Sequence, residues 1–358
     1  MSARESVPWA SSCRSSRSAV RSPLSDVSRP RVLVARQIDP EALVTLQDTV
    51  DLQVWPGPGA PTPEELGSAA ASCHGLLTML TDRVDEALLN RCPRLRVVSN
   101  MAVGLDNVDV GAATRHGVVV GHTPGVLTET TADFAFALLL ATARRVVEAD
   151  AFVRQGSWVA AGGWSPTMLV GAEVSGATLG VVGLGRIGLA VARRARGFQM
   201  RVLYHSRHRL PEFEADLGLV YVPTLDELLP QCDFASLHVP LTTESLHLLG
   251  ERELALMKPS AILINTSRGG VVDGKALAAA LAGGRLGGAG LDVMESEPLP
   301  TDDPLVALPN VVLAPHIASA SRATRRRMAL MAVENLRNGL AGRLPAHCAN
   351  PEALRSGG

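Results

Sequence analysis

From Arg31 onward the chain alternates short apolar runs with longer amphipathic segments. RVLVAR (31–36), LQVW (52–55), GLLTML (75–80), LRVVSN (95–100) and GVVVGHT (117–123) form a first series of runs. ATLGVVGLG (177–185), RVLYHS (201–206), LVYV (219–222), FASLHVP (234–240), AILINTS (261–267), GAGLDV (288–293) and VVLAPH (311–316) form a second. Runs that are apolar almost throughout predict strands buried on both faces, as in a parallel sheet covered by crossover helices. The segments between them carry helical signals. PEALVTLQD and PEELGSAAAS each open on Pro-Glu, a good first turn. TETTADFAFALLLATARRVVEADAFVRQG, beginning near Thr128, is the longest helical pattern. After APH the chain returns to helix in RRRMALMAVENLRNGLAGR and ends in a polar tail. The alternation predicts two α/β units of unequal size, the larger a doubly wound sheet. Residues 158–176, WVAAGGWSPTMLVGAEVSG, have no period and read as an extended arm or loop.

Composition narrows the class. Of 358 residues 46% are apolar and 19% charged, which describes a soluble globular protein of one or two domains. A formal net charge of −1 gives no reason to expect a nucleic-acid partner. The five cysteines lack CxxC spacing, which argues against a disulfide framework or a zinc site and fits a reducing cytoplasm. The most apolar helical segment, FAFALLLATA, is too short to cross a bilayer, so no membrane span is expected. Residues 1–30 are rich in Ser and Arg and have no apolar h-region. They read as a disordered leader rather than a secretory signal, with organelle targeting left open.

Candidate chemistry gathers at strand ends. GLGRIG, Gly183 to Gly188, follows the strand TLGVV and opens the helix LAVARRARGF, the βαβ setting of a dinucleotide fingerprint. In that setting Gly183 permits the tight turn, Gly185 admits a pyrophosphate and Gly188 lets helix and strand approach; a ligand-free βα turn has the same appearance. At the next strand end, LYHSRHR lacks the carboxylate that would accept bonds from a ribose 2′-hydroxyl. Ser206, Arg207 and Arg209 offer donors to a 2′-phosphate instead, which favours NADP(H) with NAD(H) still possible. A plain solvated basic loop is the other reading of that stretch.

INTSRGGVVD places Arg268 just past a strand, where a guanidinium can clamp a carboxylate and polarise a carbonyl, or simply cap a turn. APHIASAS places His316 similarly, and LDVMESEPLP offers Glu297 as its partner. A carboxylate bonded to an imidazole raises its pKa, and a charged imidazole beside a carbonyl can act as general acid, or as base in reverse. A lone histidine is more often structural, so the pairing with the dinucleotide fingerprint carries the reading.

Taken in order, SNMAVGLDNVD, GVLTETTADFAFALLLATARR, GLGRIG, INTSRGGVVD, AGLDVMESEPLP and APHIASAS resemble the D-2-hydroxyacid dehydrogenase family, closest to its glyoxylate/hydroxypyruvate reductase branch. The resemblance spans about Arg31 to Pro345. It implies two Rossmann-like doubly wound parallel-sheet domains, with a flavodoxin-like substrate domain built from both chain ends. On this sequence that gives 31–125 as its first part, 126–310 as the nucleotide domain, 311–345 as the return and 346–358 as a tail. It implies a catalytic set of Arg268, Glu297 and His316, with Arg268 holding a small 2-oxo acid and His316 protonating its carbonyl. Val103 and Gly104 would bind the substrate carboxylate through backbone N–H groups, with Leu80 shaping the pocket. Arg186, Ile187, Pro240, Thr266, Asp292 and Ser319 would join the glycines and the basic loop around the cofactor, Asp292 at the nicotinamide carboxamide. Pro240 would mark a cis-like bend or turn under the adenosine ribose.

The expected activity is NADPH-preferring reduction of glyoxylate and hydroxypyruvate by a homodimer. D-lactate, phosphoglycerate and broad 2-oxoacid reductases are the alternatives within the family, although no regulatory domain follows Arg343. A cofactor-sensing corepressor is the alternative of another class. GGWSPTMLVG resembles that branch's arm across the dimer, with Trp164 either closing the neighbouring active site or packing within its own subunit. Two departures stand out: Ala318 replaces the glycine usual in the family's HIGS, and the basic leader is not a family feature.

Overall fold

The protein is described by a computed structural model, which describes residues 29–354. The leader expected at 1–30 therefore lies, but for its last two positions, outside the described residues. Every run expected as a strand forms one. β1 (Arg31–Val34), β2 (Asp51–Val54), β3 (Gly75–Thr78), β4 (Val97–Asn100) and β5 (Val119–Gly121) make a five-stranded sheet in the order β2-β1-β3-β4-β5. β6 (Thr178–Val182), β7 (Arg201–His205), β8 (Val220–Tyr221) and β9 (Phe234–Leu237) join β10 (Ile262–Asn265), β11 (Gly288–Leu291) and β12 (Val311–Leu313) in a seven-stranded sheet. Its order is β12-β11-β10-β9-β6-β7-β8, and all strand pairs in both sheets are parallel. The strand order reverses between β6 and β9, the switch point where ligands bind in such sheets.

The apolar runs are continuous because both faces are covered. On one face of the larger sheet Val181, Phe234 and Ile264 pack with Phe136 and Leu139 of the helix Thr128–Ala143. On the other, Val182, Leu237 and Leu263 pack with Leu277 and Leu281 of Gly274–Ala282. The helix Arg322–Leu340 starts from a Ser321 cap and lays Met328, Ala332 and Leu336 against Val34, Leu77 and Val97 of the smaller sheet. The smaller unit is thus built from both ends of the chain.

Three expectations shift. Val311–Leu313 pair with β11 through Ala289↔Val311, so the edge strand that completes the larger sheet lies beyond the boundary expected at Asn310. The tail is partly structure: Ala349 N donates to Val120 O, and the buried Asn350 accepts from Val120 N while donating to Val118 O. These bonds close the open edge of β5. The long helical pattern breaks into Thr128–Ala143 and Val146–Arg154, because Arg145 turns left-handed at φ 53 and binds Glu148 through two guanidinium nitrogens.

The helix Arg186–Ala195 approaches β6 so closely that a Cβ on Gly188 would lie 2.1 Å from the Gly183 carbonyl oxygen. A backbone atom cannot swing aside. Gly188→Ala is expected to lower unfolding stability by about 1–3 kcal/mol, the usual cost of overpacking, as read by urea denaturation.

Candidate active site

β6 runs straight into the glycine turn. Gly183 stands at φ 93, and a Cβ there would lie 2.8 Å from the His238 carbonyl oxygen. Gly185 is the N-cap of the helix Arg186–Ala195 and brings no capping side chain, so the helix's first N–H groups stay open to an anion. A Cβ on Gly185 would meet nothing within 4 Å, so this side of the turn is vacant space. A cavity of about 440 Å³ lies over it, lined by Gly183, Gly185, Ser206, Arg207, Pro240 and Thr242 among others. Arg186 is exposed at the first helical position, and Ile187 lines the neighbouring cleft.

The basic loop divides. Ser206 Oγ donates to His208 O, and Arg207 borders the cavity opposite Glu244. Arg209, expected beside it, does not line the cavity. Its Nε and Nη2 donate to Glu214 at 2.8 and 2.7 Å, and the guanidinium lies 5.8 Å from the Tyr221 ring centre. Glu214 also accepts from Tyr204 Oη, and the two partners hold its carboxyl at about 2. An acid five residues on has claimed this arginine. The cis peptide of the described chain is Glu297–Pro298; none occurs at Pro240.

Between the two sheets lies a cleft of about 260 Å³. Leu80, Val103 and Gly104 reach it from the smaller unit, and Ile187, Pro240, Thr266, Arg268, Asp292, His316 and Ser319 from the larger. His316 Nδ1 bonds Glu297 Oε2 at 2.7 Å, and Glu297 Oε1 accepts from Met294 N at 3.1 Å. Burial works to raise the Glu297 carboxyl, but the His316 bond and charge outweigh it and hold it below the usual range. Asp292 is fully buried, and its oxygens accept from Ile317 N at 2.7 Å and Ala318 N at 2.8 Å. Burial raises its carboxyl, against those two amides.

Arg268 Nε faces both oxygens of Asp106, at 3.1 and 3.0 Å, and Nη1 donates to Ser267 O at 2.7 Å. Burial tends to raise the Asp106 carboxyl, yet the Arg268 bond brings it below its ordinary value. Gly104 leaves room for this pair, since a Cβ would lie 2.0 Å from Arg268 Nη2 and displace the guanidinium. The Val103 and Gly104 carbonyls are held by His122 Nδ1 at 2.9 Å and Asn100 Nδ2 at 3.1 Å. Their own N–H groups have no acceptor among the described residues. Thr266 Oγ1 is buried with no partner, and His238 borders both cavities, its imidazole pushed by burial down to about 3 and so neutral.

An orphaned hydroxyl at one end, an uncapped helix start over open space at the other and a continuous lining between them fit a nicotinamide dinucleotide. Asp106, Asn100 and His238 were not singled out in the sequence. Asp106 stands two residues after Gly104 in SNMAVGLDNVD, but its partner is 162 positions away. Trp164 is 78% exposed and lines neither cavity. Among the described residues no group of side chains could hold a metal ion, and no helix is long and apolar enough to cross a membrane.

Residues 136–318 match the family model of the D-isomer specific 2-hydroxyacid dehydrogenase NAD binding domain. A glyoxylate reductase of Korarchaeum cryptofilum is 53% identical over 327 residues, covering 91% of this chain and 98% of that one. Among solved structures, a protein from Thermus thermophilus aligns with a TM-score of 0.83 at 48% identity, covering 89% and 99% of the two chains. An NADPH-dependent glyoxylate/hydroxypyruvate reductase from Sinorhizobium meliloti, in complex with NADP and malonate, aligns with a TM-score of 0.80 at 36% identity, covering 91% and 98%.

Because the Asp106 carboxyl is lower in the folded chain than in the unfolded one, its pair with Arg268 adds stability above the ordinary aspartate range, and the gain is lost as pH falls through the lowered value. The stability difference between wild type and Asp106→Asn should be flat from about pH 5 to pH 8 and shrink toward pH 3, as read by denaturant unfolding at each pH.

Proposed function

The chain belongs to the D-isomer specific 2-hydroxyacid dehydrogenases, which are NAD(P)-dependent, and we propose that it reduces glyoxylate to glycolate and hydroxypyruvate to D-glycerate, preferring NADPH. The observation that carries this reading is the meeting of the His316–Glu297 pair with Arg268 in one cleft lined with unfilled donors. The dinucleotide, when bound, supplies hydride to the carbonyl carbon. The chain does the rest.

The free N–H groups of Val103 and Gly104 receive the substrate carboxylate. Arg268, steadied by Asp106, turns its remaining N–H groups to the acid and its carbonyl. His316 uses Nδ1 for Glu297, which leaves Nε2 to give its proton to the carbonyl oxygen. The Glu297 carboxylate balances the imidazolium charge in a partly buried site. Leu80 bounds the substrate side. Thr266, Asp292, Ser319 and Ile187 hold the nicotinamide end, and the amides after Gly185 hold the diphosphate.

The preference for NADPH rests on Arg207 and Ser206 at the end of β7, whose own loop, 206–209, carries no carboxylate, with Glu244 of another loop across the cavity. Arg209 serves that loop indirectly, from its pair with Glu214. The likeness to the Korarchaeum glyoxylate reductase and the Sinorhizobium glyoxylate/hydroxypyruvate reductase supports the substrate assignment. A homodimer would cover the exposed Val147, Val153, Trp158, Val159 and Trp164.

Purified protein should oxidise NADPH with either acid, and His316→Gln should lower kcat by about 10²- to 10⁴-fold. Arg207→Ala should raise KM for NADPH roughly tenfold more than for NADH, whereas Arg209→Ala should move both alike. Steady-state kinetics with the two cofactors in parallel checks both statements.

A further inference from the structure

The cleft opens on its substrate side into a cavity of about 850 Å³, far more room than a two-carbon acid fills. Its wall is largely apolar, with Ile38, Met79, Leu80, Met101, Leu299 and Leu313. Three basic side chains also line it: Arg36, His316 and Arg325. Two of them are matched. Arg36 bonds Asp82 at 2.8 Å, the Ala35 carbonyl and Thr81 Oγ1, and His316 bonds Glu297. Arg268, in the adjoining cleft, has Asp106.

Arg325 is different. It is half-buried in the first turns of the helix Arg322–Leu340, borders both the cavity and the cleft, and its guanidinium has no hydrogen bond or ion pair among the described residues. Burial lowers its pKa, with the Asp292 carboxylate as the opposing charge. A cation in the first turn of a helix also lies against the helix dipole. Its N–H donors are turned to the cavity with no acceptor among the described residues, so a substrate oxygen entering there gains bonds without breaking a protein pair.

We propose that Arg325 is a specificity-determining residue that donates to an oxygen carried by the substrate beyond its 2-oxo group. Resting on the 2-oxo acid reduction proposed above, this makes the site selective for short 2-oxo acids with a hydroxyl or carboxylate on the far carbon. The planar guanidinium, with its several N–H groups, suits either acceptor. A methyl in that place would leave the cation unmatched, which is the larger part of the discrimination. Arg268 and the Val103–Gly104 amides keep the reacting carboxylate, so the two ends of the substrate are read by different groups.

The test compares wild type, Arg325→Met and Arg325→Lys on glyoxylate, pyruvate, hydroxypyruvate and oxaloacetate with NADPH. For Arg325→Met the ratio of kcat/KM for hydroxypyruvate to that for pyruvate should fall roughly 10- to 100-fold, mostly through KM for hydroxypyruvate. Arg325→Lys, which keeps a charge without the fork, should recover part of the ratio. A change in the oxaloacetate ratio larger than that for hydroxypyruvate would identify a carboxylate as the preferred far group. Turnover with an unchanged hydroxypyruvate-to-pyruvate ratio in both variants overturns the role of Arg325 alone. An equal loss on all four acids does so too, since it marks a structural residue. Wild-type protein that reduces none of the four acids would instead overturn the proposed function.

Discussion

Parallel strands can be joined only through crossovers, so each strand of such a sheet delivers its C-terminal end to the same edge. Both sheets of this protein are wholly parallel, and nearly all the site's chemistry sits on the loops just past those ends. Gly183 and Gly185 come after β6, Ser206 and Arg207 after β7, and His238 and Pro240 after β9. Thr266 and Arg268 come after β10, Asp292 after β11 and His316 after β12. The smaller sheet contributes Leu80 after β3 and Val103 and Gly104 after β4. Backbone groups at a ladder's end have lost their strand partners, so the unfilled N–H groups of the cleft arise where the sheet's own hydrogen bonding stops.

Charges brought into that cleft are kept in pairs, because removing an ion from water without a partner is expensive. The Arg268–Asp106 pair joins the larger unit to the smaller, which gives it a second consequence. The approach of the two units and the direction of the guanidinium are one event, and Gly104 has no Cβ to block it. Asp292 solves the same problem chiefly by accepting two backbone N–H groups, with the Arg325 charge nearby but not bonded to it. Against this pattern of matched groups, the unfilled donors at Val103, Gly104, Thr266 and Arg325 mark where a ligand is expected.

Much of this was legible in the chain because it is local. A continuous apolar run such as AILINTS has few alternatives to a doubly buried strand, and GLGRIG between a strand and a helix needs only neighbours to be read. The His316–Glu297 pair was within reach for a related reason, since both sit on loops leaving adjacent strands, β12 and β11. What escaped depends on contacts far apart in sequence or on competition between neighbours. Nothing near Arg268 names Asp106. Arg209 looked equivalent to Arg207 until the helix Pro211–Leu217 set Glu214 beside it. The break at Arg145 is a backbone choice in an otherwise helical pattern, stabilised by Glu148. The extension of the larger sheet to Leu313 required knowing that β11 has an edge to fill.

The direction of His316 depends on more than Glu297. Its backbone stands at φ 56, a region that costs a residue with a Cβ about 1–2 kcal/mol. Three bonds to one residue offset that strain: His316 N donates to Asp292 O at 2.8 Å, and Ile317 N and Ala318 N donate to the Asp292 carboxylate. Asp292 is fully buried, so water cannot replace those bonds and the loop has no inexpensive way to relax. The imidazole is therefore aimed from the end of β11 as much as from its own strand. The same bonds account for the departure at position 318. Ala318 is not among the residues with positive φ, and its amide serves Asp292 as a glycine's would. The loop consequently loses nothing by the exchange, and the added methyl acts only on the space of the cleft that Ala318 lines.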